Sequence, residues 1–305
     1  MKIISYKTES EAKPGIMLNG KVINLTLALK SYYLIKFKKD IPIYNSIVDY
    51  LKTGLVDLNI LKNLQKWLVS SNLLKDFIVK GKVKLAVPLI PGKIIALGRN
   101  FASHAKEQNA PIPKEPIIFE KANSSVIGPD ENVVYKNFLI KMDPKNVRVD
   151  HEVELAVVIS KKASNVKKKN AFNYVFGYTI LNDVTARNVQ SMDFEFKNPW
   201  FRSKSIDTFC PIGPWIITKD EIKNPHNLDI ELRVNGKIRQ KNNTKNMIFK
   251  IPQLIEYITT YLTLMPGDII STGTPEGISP VFPNDVMECK IEKIGILKNK
   301  VVKEK

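Results

Sequence analysis

The sequence predicts an α+β protein that is mainly β: a rolled or sandwich-like mixed sheet preceded by a small α+β domain. Three observations point there. Many short apolar segments, bounded by Gly, Pro and Asn, fill the chain after about residue 88. One long amphipathic helical pattern interrupts them. Strands and helices do not alternate regularly, which argues against a doubly wound parallel sheet.

Residues 1–87 make up the predicted small domain. "KIISYK", "GIMLNG" and "KVINLTL" read as short strands. Two helical patterns follow. "NSIVDYLKTG" opens at Asn45 and stops at Gly54, and "DLNILKNLQKWLVSS" puts Leu58, Leu61, Leu64 and Leu68 on one stripe. "VPLIPGK" at 87–93 supplies two prolines and a glycine, a suitable boundary. In the second domain, 88–305, strands are expected at 93–98, 115–121, 153–160, 174–181, 210–218, 228–236, 268–273, 285–295 and 296–302. The helix "KIPQLIEYITTYLTLMPGD" has Pro252 in its first turn and a stripe of Leu254, Ile255, Ile258 and Leu262. It ends at Pro-Gly.

A chain of 305 residues with 44% apolar content can bury a sizeable core. The net charge of +17 raises the question of a nucleic-acid partner. The lysines are spread along the chain, however, and "KKASNVKKKN" reads as one polar connection after a strand. A solvated basic surface that attracts small anions is the reading adopted, with no specific nucleic acid and no membrane as partner. No run reaches the length of a membrane span, and the start has no apolar signal core. Cys210 and Cys289 are too few for a disulfide framework, so a reduced, cytoplasmic setting is expected.

"VDHEVELAVVIS" carries two glutamates at the start of an apolar strand. Residues i and i+2 share a side, so Glu152 and Glu154 project together about 7 Å apart, while Val153, Leu155 and Val157 face a core. Like charges that close repel unless a partner cancels them. A hard cation would do so; the plainer alternative is a solvated face, or pairing with lysines. Asp183 stands where the strand "YVFGYTIL" runs into "NDVTARNVQ". It is either the N-cap of the next helix or a third carboxylate. Three carboxylates make one face of an octahedral site suited to Mg²⁺ or Mn²⁺, and with no His or Cys in the cluster zinc fits less well. Arg187 and Gln190, at i and i+3, share a side of that helix. Arg187 has two readings: a bidentate clamp on a substrate carboxylate, or a salt bridge to one of the acids.

His226, in "NPHNL", reads as a surface turn residue, and His151 points away from Glu152. His104 and Glu107, at i and i+3 in "LGRNFASHAKEQNAP", can touch on a short helix. A carboxylate there fixes the imidazole tautomer and raises its basicity, as a general base requires. The alternative is an ordinary exposed pair. "STGTPEGISP" forms a tight turn whose N–H groups can hold an anion, or a plain hairpin connection. Lys204, in "WFRSKSIDTFCP", is either a substrate-facing cation or a solvated lysine.

Together, "GRNFASHAKE", "HEVELAVVIS", "GYTILNDVTARNVQ", "RSKSIDTFCPIGP", "LRVNGKIRQ", "PGDIISTGTPEG" and the ending "IEKIGILKNKVV" resemble the fumarylacetoacetate hydrolase family over residues 88–302. The resemblance is nearest to its acylpyruvase and 2-hydroxyhepta-2,4-diene-1,7-dioate isomerase branch. It implies a mixed β-roll catalytic domain, usually a homodimer, holding Mg²⁺, with Mn²⁺ or Ca²⁺ as alternatives, through Glu152, Glu154 and Asp183. It implies a His104–Glu107 dyad on a lid, Lys204 as a catalytic cation, and Arg99, Arg187, Gln190 and Thr274 at the substrate. The implied reaction is cleavage of a C–C bond in a 1,3-dicarbonyl 2-oxo acid through a metal-bound enolate, with the dyad activating water. Isomerase, decarboxylase or oxaloacetate tautomerase chemistry is the alternative on the same site, and a non-catalytic basic binding protein is the distant one. "KNFLIKMDPKNVRVD" is longer than is usual in the family, and "DFEFKNPWFRSK" lacks the glycine-rich version many members carry.

Overall fold

The computed structural model describes residues 1–8 and 11–305. A mixed sheet of eleven strands forms its centre. Its main path runs Lys21–Asn24, Lys13–Leu18, Lys2–Lys7, Cys210–Thr218, Val175–Asn182, Val153–Ile159, Ile269–Ser271, Ile94–Gly98 and Ile117–Lys121. Pairing is antiparallel along this path except between Ile269–Ser271 and Ile94–Gly98. A second sheet of five strands runs Lys237–Asn243, Asp229–Val234, Val286–Ile291, Gly295–Lys303 and Val133–Tyr135. The α+β, mainly β expectation holds, and no closed barrel forms among the described residues.

The central strands Val153–Ile159 and Val175–Asn182 are buried along their whole length. Such strands are covered on both faces, and their near-continuous apolar runs reflect this. Val153, Leu155, Val157 and Ile159 pack into the core shared with the second sheet and the helix Ile251–Tyr261. Ala156 and Val158 face the other core, built on the helices Leu25–Phe37, Ile47–Lys52 and Leu58–Ser70. The strands of residues 1–87 hydrogen-bond into the main sheet through Lys2–Lys7 on Cys210–Thr218. A division into domains at residue 88 is a proposal about folding units, and the sheet's hydrogen bonding runs across it. No helix of the described residues is long and apolar enough to cross a membrane.

A helix and a hairpin strand are among the elements that differ from expectation. "LTL" is not strand: Asn24, which ends the strand, caps a helix over Leu25–Phe37, its side chain accepting from Leu27 N–H at 3.1 Å. Leu25, Ala28, Leu29, Tyr32 and Tyr33 are buried, but Leu27, Leu34, Ile35 and Phe37 are exposed. Apolar residues surround this helix, so no stripe betrays it. The segment after "LRVNG" is a strand, Lys237–Asn243, hairpinned to Asp229–Val234. Asn235 and Gly236, at φ 50° and 76°, supply the two left-handed residues of a tight two-residue hairpin turn.

The register brings the acids together. Val153 pairs with Asn182 and Glu154 with Leu181 in an antiparallel ladder. The start of one strand thus lies beside the end of the other, and Glu152, Glu154 and Asp183 fall on one side. Ser271 and Gly98 end neighbouring strands that leave the sheet in the same direction, so the "TGTPEG" turn and the His104 segment emerge together.

Candidate active site

Glu152, Glu154 and Asp183 are buried, and one carboxylate oxygen from each lies within 4.8 Å of the others. Glu152 immediately precedes its strand, and its N–H donates to Asn182 Oδ1 at 2.8 Å. Asp183 is not a helix cap: the helix Arg187–Glu195 begins four residues later, after Ala186.

The surroundings of the three acids are unequal. Lys204 Nζ lies 2.9 Å from Glu152 Oε2 and 2.6 Å from Asp183 Oδ2. Lys121 is fully buried; its ammonium stands 2.7 Å from Asp183 Oδ1, out of hydrogen-bonding line, and donates to the Lys204 carbonyl. Arg187 donates to Glu152 and, at 2.8 Å, to Asp150 Oδ2. Glu154 pairs with no cation among the described residues. Its Oε2 accepts from Ser271 Oγ and from Gly273 N–H at 2.8 Å, while its Oε1 is buried without a partner.

Electrostatics follow this division. Burial raises the Glu152 carboxyl, but Lys204 and Arg187 outweigh it and hold Glu152 below the usual carboxylate range. Burial, then Asp183 and Glu152, push Glu154 well above that range. Burial works against the Lys204 ammonium, yet Asp183 and Glu152 leave it raised. A buried carboxylate oxygen with no donor is costly. A set of carboxylate oxygens is the donor type for a hard divalent cation, so the residues present fit Mg²⁺ or Mn²⁺.

The second cluster sits on the helix Ala102–Glu107. His104 is buried, and its Nδ1 lies 3.1 Å from Glu107 Oε2. Glu107 Oε1 accepts from Gly277 N–H at 2.9 Å. Burial raises the Glu107 carboxyl, but the bonds from His104 and Gly277 leave it lowered. The N–H groups of the "TGTPEG" turn are taken up by the chain's own carboxyl oxygens, those of Glu154 and Glu107. Gly273 and Gly277 have φ 90° and 93°, and a Cβ on Gly277 would sit 2.0 Å from the Arg239 carbonyl oxygen.

The other expected residues converge here too. Arg99, His104, Glu152, Arg187, Gln190, Lys204 and Thr274 all line one inner cavity. Lys204, at the end of the short helix Phe201–Lys204, is buried rather than solvated. Arg187 adopts the salt-bridge arrangement: three of its nitrogens donate to Asp150, Gln190 and Glu152. The Thr274 hydroxyl donates to Val153 C=O at 3.0 Å and accepts from Gln240 Nε2 at 2.8 Å.

Sequence reasoning passed over Gln108, Lys121, Asp150 and Gln240. Gln108 is one residue beyond the dyad, and Lys121 is a lone cation ending an apolar strand, a usable signal. Gln240 is buried, its Oε1 accepting from Val153 N–H at 3.1 Å while its Nε2 holds the turn, so it ties the glutamate strand to "TGTPEG". Only the unrecognised hairpin strand brings it there. His151 is buried against Gln240 and Ser279. His226 is not a plain surface residue: its Nε2 accepts from Ile251 N–H at 3.1 Å, capping the long helix.

Known proteins resemble this chain in sequence and fold. The family model for the fumarylacetoacetate (FAA) hydrolase C-terminal region matches residues 93–302. Oxaloacetate tautomerase FAHD2A, mitochondrial, of Bos taurus is 37% identical, over 99% of this chain and 92% of its own. A solved 2-hydroxyhepta-2,4-diene-1,7-dioate isomerase from Mycobacterium marinum is 36% identical with TM-score 0.63, covering 73% of this chain and 79% of its own. A maleylpyruvate hydrolase from Sphingobium sp. SYK-6, solved with manganese(II) and pyruvate, is 29% identical with TM-score 0.77 over the whole of both chains. With its matched region, its full-length relative and its fold in agreement, the chain belongs to the fumarylacetoacetate hydrolase family and is an enzyme of it.

Proposed function

We propose that the enzyme cleaves the C–C bond of a short 2-oxo acid bearing a second carbonyl at C4, an acylpyruvate or fumarylpyruvate type of substrate, to pyruvate and a carboxylic acid. The observation that carries this reading is the pairing of two machines in one place. A buried carboxylate triad with an unpartnered Glu154 oxygen lies beside a His–Glu dyad whose base faces the same cavity.

Glu152, Glu154 and Asp183 would hold a divalent cation, which supplies Lewis-acid stabilisation of negative charge developing on the substrate's 2-oxo oxygen. The protein does the rest. Glu107 accepts from Nδ1–H of His104, so Nε2 carries the lone pair. His104 takes a proton from water as its oxygen bonds to C4. The C3–C4 bond breaks, its electron pair passes toward the 2-oxo oxygen, and His104 returns the proton to C3. Lys204 contributes positive charge where the oxyanion grows. Arg187 positions Glu152 and Gln190. The homodimer implied by the family resemblance and the cytoplasmic setting expected from the two cysteines belong to this proposal.

The second reading is oxaloacetate tautomerisation, favoured by the relative that matches this chain almost end to end. It needs proton transfer at C3 but no attacking water. A panel of acylpyruvates, fumarylpyruvate, oxaloacetate and a hydroxydienedioate, with Mg²⁺ and with EDTA, tests both readings. Mg²⁺-dependent release of pyruvate from an acylpyruvate supports the hydrolase. Turnover confined to enol–keto exchange of oxaloacetate supports the second reading.

A further inference from the structure

One hydrogen bond at the site works against the chemistry around it. Gln108, the residue that ends the helix Ala102–Glu107, places its side-chain nitrogen 3.2 Å from His104 Nε2. Its amide oxygen accepts from Arg99 Nε at 3.1 Å, which turns the NH₂ end toward the ring. On the other side of the ring, Nδ1 lies 3.1 Å from Glu107 Oε2, and a carboxylate oxygen can only accept. Nδ1 therefore carries the proton, and the single lone pair of the neutral imidazole lies at Nε2. That lone pair is what a general base offers to water, and Gln108 already holds it.

Space points to the same side chain. The inner cavity beside Glu152 and Lys204 has room for about one water, 20 Å³. A 2-oxo acid that reaches those groups needs more, so part of the lining has to move. Glu152 is ion-paired to both Arg187 and Lys204. Phe119 and Phe194 each meet Trp200 edge to face, at 5.5 and 5.2 Å. Gln108 is half-buried, and its amide is held by Arg99 and His104 alone. It lines the inner cavity and also the outer one, of about 880 Å³. A turn of its side chain toward the outer cavity opens the inner one and frees Nε2 in one movement.

We infer that Gln108 is a positioning residue that caps the general base and is displaced by entering substrate, so that His104 is open to water only in the occupied site. The inference rests on the proposal that His104 is the base for a 2-oxo acid substrate. The cap also sets a threshold for binding. A molecule that does not displace the amide meets a masked base. One that does displace it binds more weakly by the cost of breaking the cap, about threefold to tenfold for one hydrogen bond.

The test is a double-mutant cycle on the full chain at saturating Mg²⁺, read by calorimetry with 2-oxobutanoate, which has no C4 carbonyl and is not cleaved. Gln108→Met keeps the length of the side chain and removes the cap, and it is expected to tighten the probe by about threefold to tenfold. His104→Ala removes the acceptor, and in that background Gln108→Met is expected to change probe affinity by less than about twofold. Equal or weaker probe binding by the single variant Gln108→Met overturns the inference. So does tightening that persists beside His104→Ala, because it would come from the release of Arg99. For an acylpyruvate that is turned over, Gln108→Met is expected to lower KM by more than it changes kcat. A fall in kcat larger than the fall in KM overturns the inference, since Gln108 would then assist in the occupied site. Probe binding by none of the four proteins removes the 2-oxo acid reading itself, and the inference with it. The expected cycle with no pyruvate released from any acylpyruvate leaves the inference standing and overturns only the hydrolase reading.

Discussion

Gln108 Nε2 lies 3.2 Å from His104 Nε2. Arg99 donates to the Gln108 amide oxygen, so the amide nitrogen faces the imidazole. Gly277, Glu107, His104, Gln108 and Arg99 thus form one hydrogen-bonded chain, running from the "TGTPEG" turn to the mouth of the cavity. Within it, Nδ1 of His104 donates to Glu107 and Nε2 accepts from Gln108, so the Gln108 amide has to turn aside before Nε2 can take a proton from water.

His104→Ala is therefore expected to lower kcat for acylpyruvate cleavage by about 10²–10⁴-fold, the usual size of general acid–base assistance. Glu107→Gln, which spoils the tautomer but leaves the ring, is expected to fall between that variant and the wild type. Steady-state rates at saturating Mg²⁺ check both. Wild-type rates in His104→Ala would remove the base from the mechanism.

Gly273→Ala is expected to cost about 1–3 kcal/mol of stability, the usual range for a strained left-handed residue. Its φ is 90°, and the added Cβ would lie 2.8 Å from Asn100 Cβ. The same change displaces the N–H that holds Glu154, so Mg²⁺ affinity falls along with the urea midpoint. A loss of stability with unchanged Mg²⁺ affinity would show that the Gly273 bond does not orient Glu154.

His226 gives the chain a pH-dependent element away from the site. Burial, helped by Lys250, holds its pKa at about 4 against an ordinary 6.5. The folded state therefore keeps the imidazole neutral while the unfolded chain protonates first. Stability from this group is full above about pH 6.5 and is lost as pH falls toward 4. Protonation would also remove the acceptor of Ile251 N–H and put positive charge at a helix N-terminus. The fall in unfolding free energy between pH 7 and 5 should be smaller in His226→Asn than in the wild type. Equal falls would assign the pH dependence to other groups.

Much of the site was legible because strand parity is a strong rule. Glu152 and Glu154 share a side by spacing alone, and Asp183 marks the end of an apolar strand. Their meeting needed the pairing of Val153 with Asn182, which periodicity does not contain. Helices with a clean stripe, such as Leu58–Ser70 and Ile251–Tyr261, were visible. Leu25–Phe37 was not, because apolar residues cover its exposed side as well. Gln240 and Lys121 reach the acids only through tertiary pairing. Arg187 turns toward Asp150, an acid that local spacing gave no reason to single out.

Glu152, Glu154 and Asp183 are expected to form one divalent-cation site. Calorimetric titration of Mn²⁺ into EDTA-treated protein tests it most directly, with Glu154→Gln beside the wild type. One site per chain is expected in the wild type, with no tight binding in Glu154→Gln and recovery of acylpyruvate cleavage in step with occupancy. Tight binding that survives Glu154→Gln, or full activity in the EDTA-treated enzyme, would contradict it.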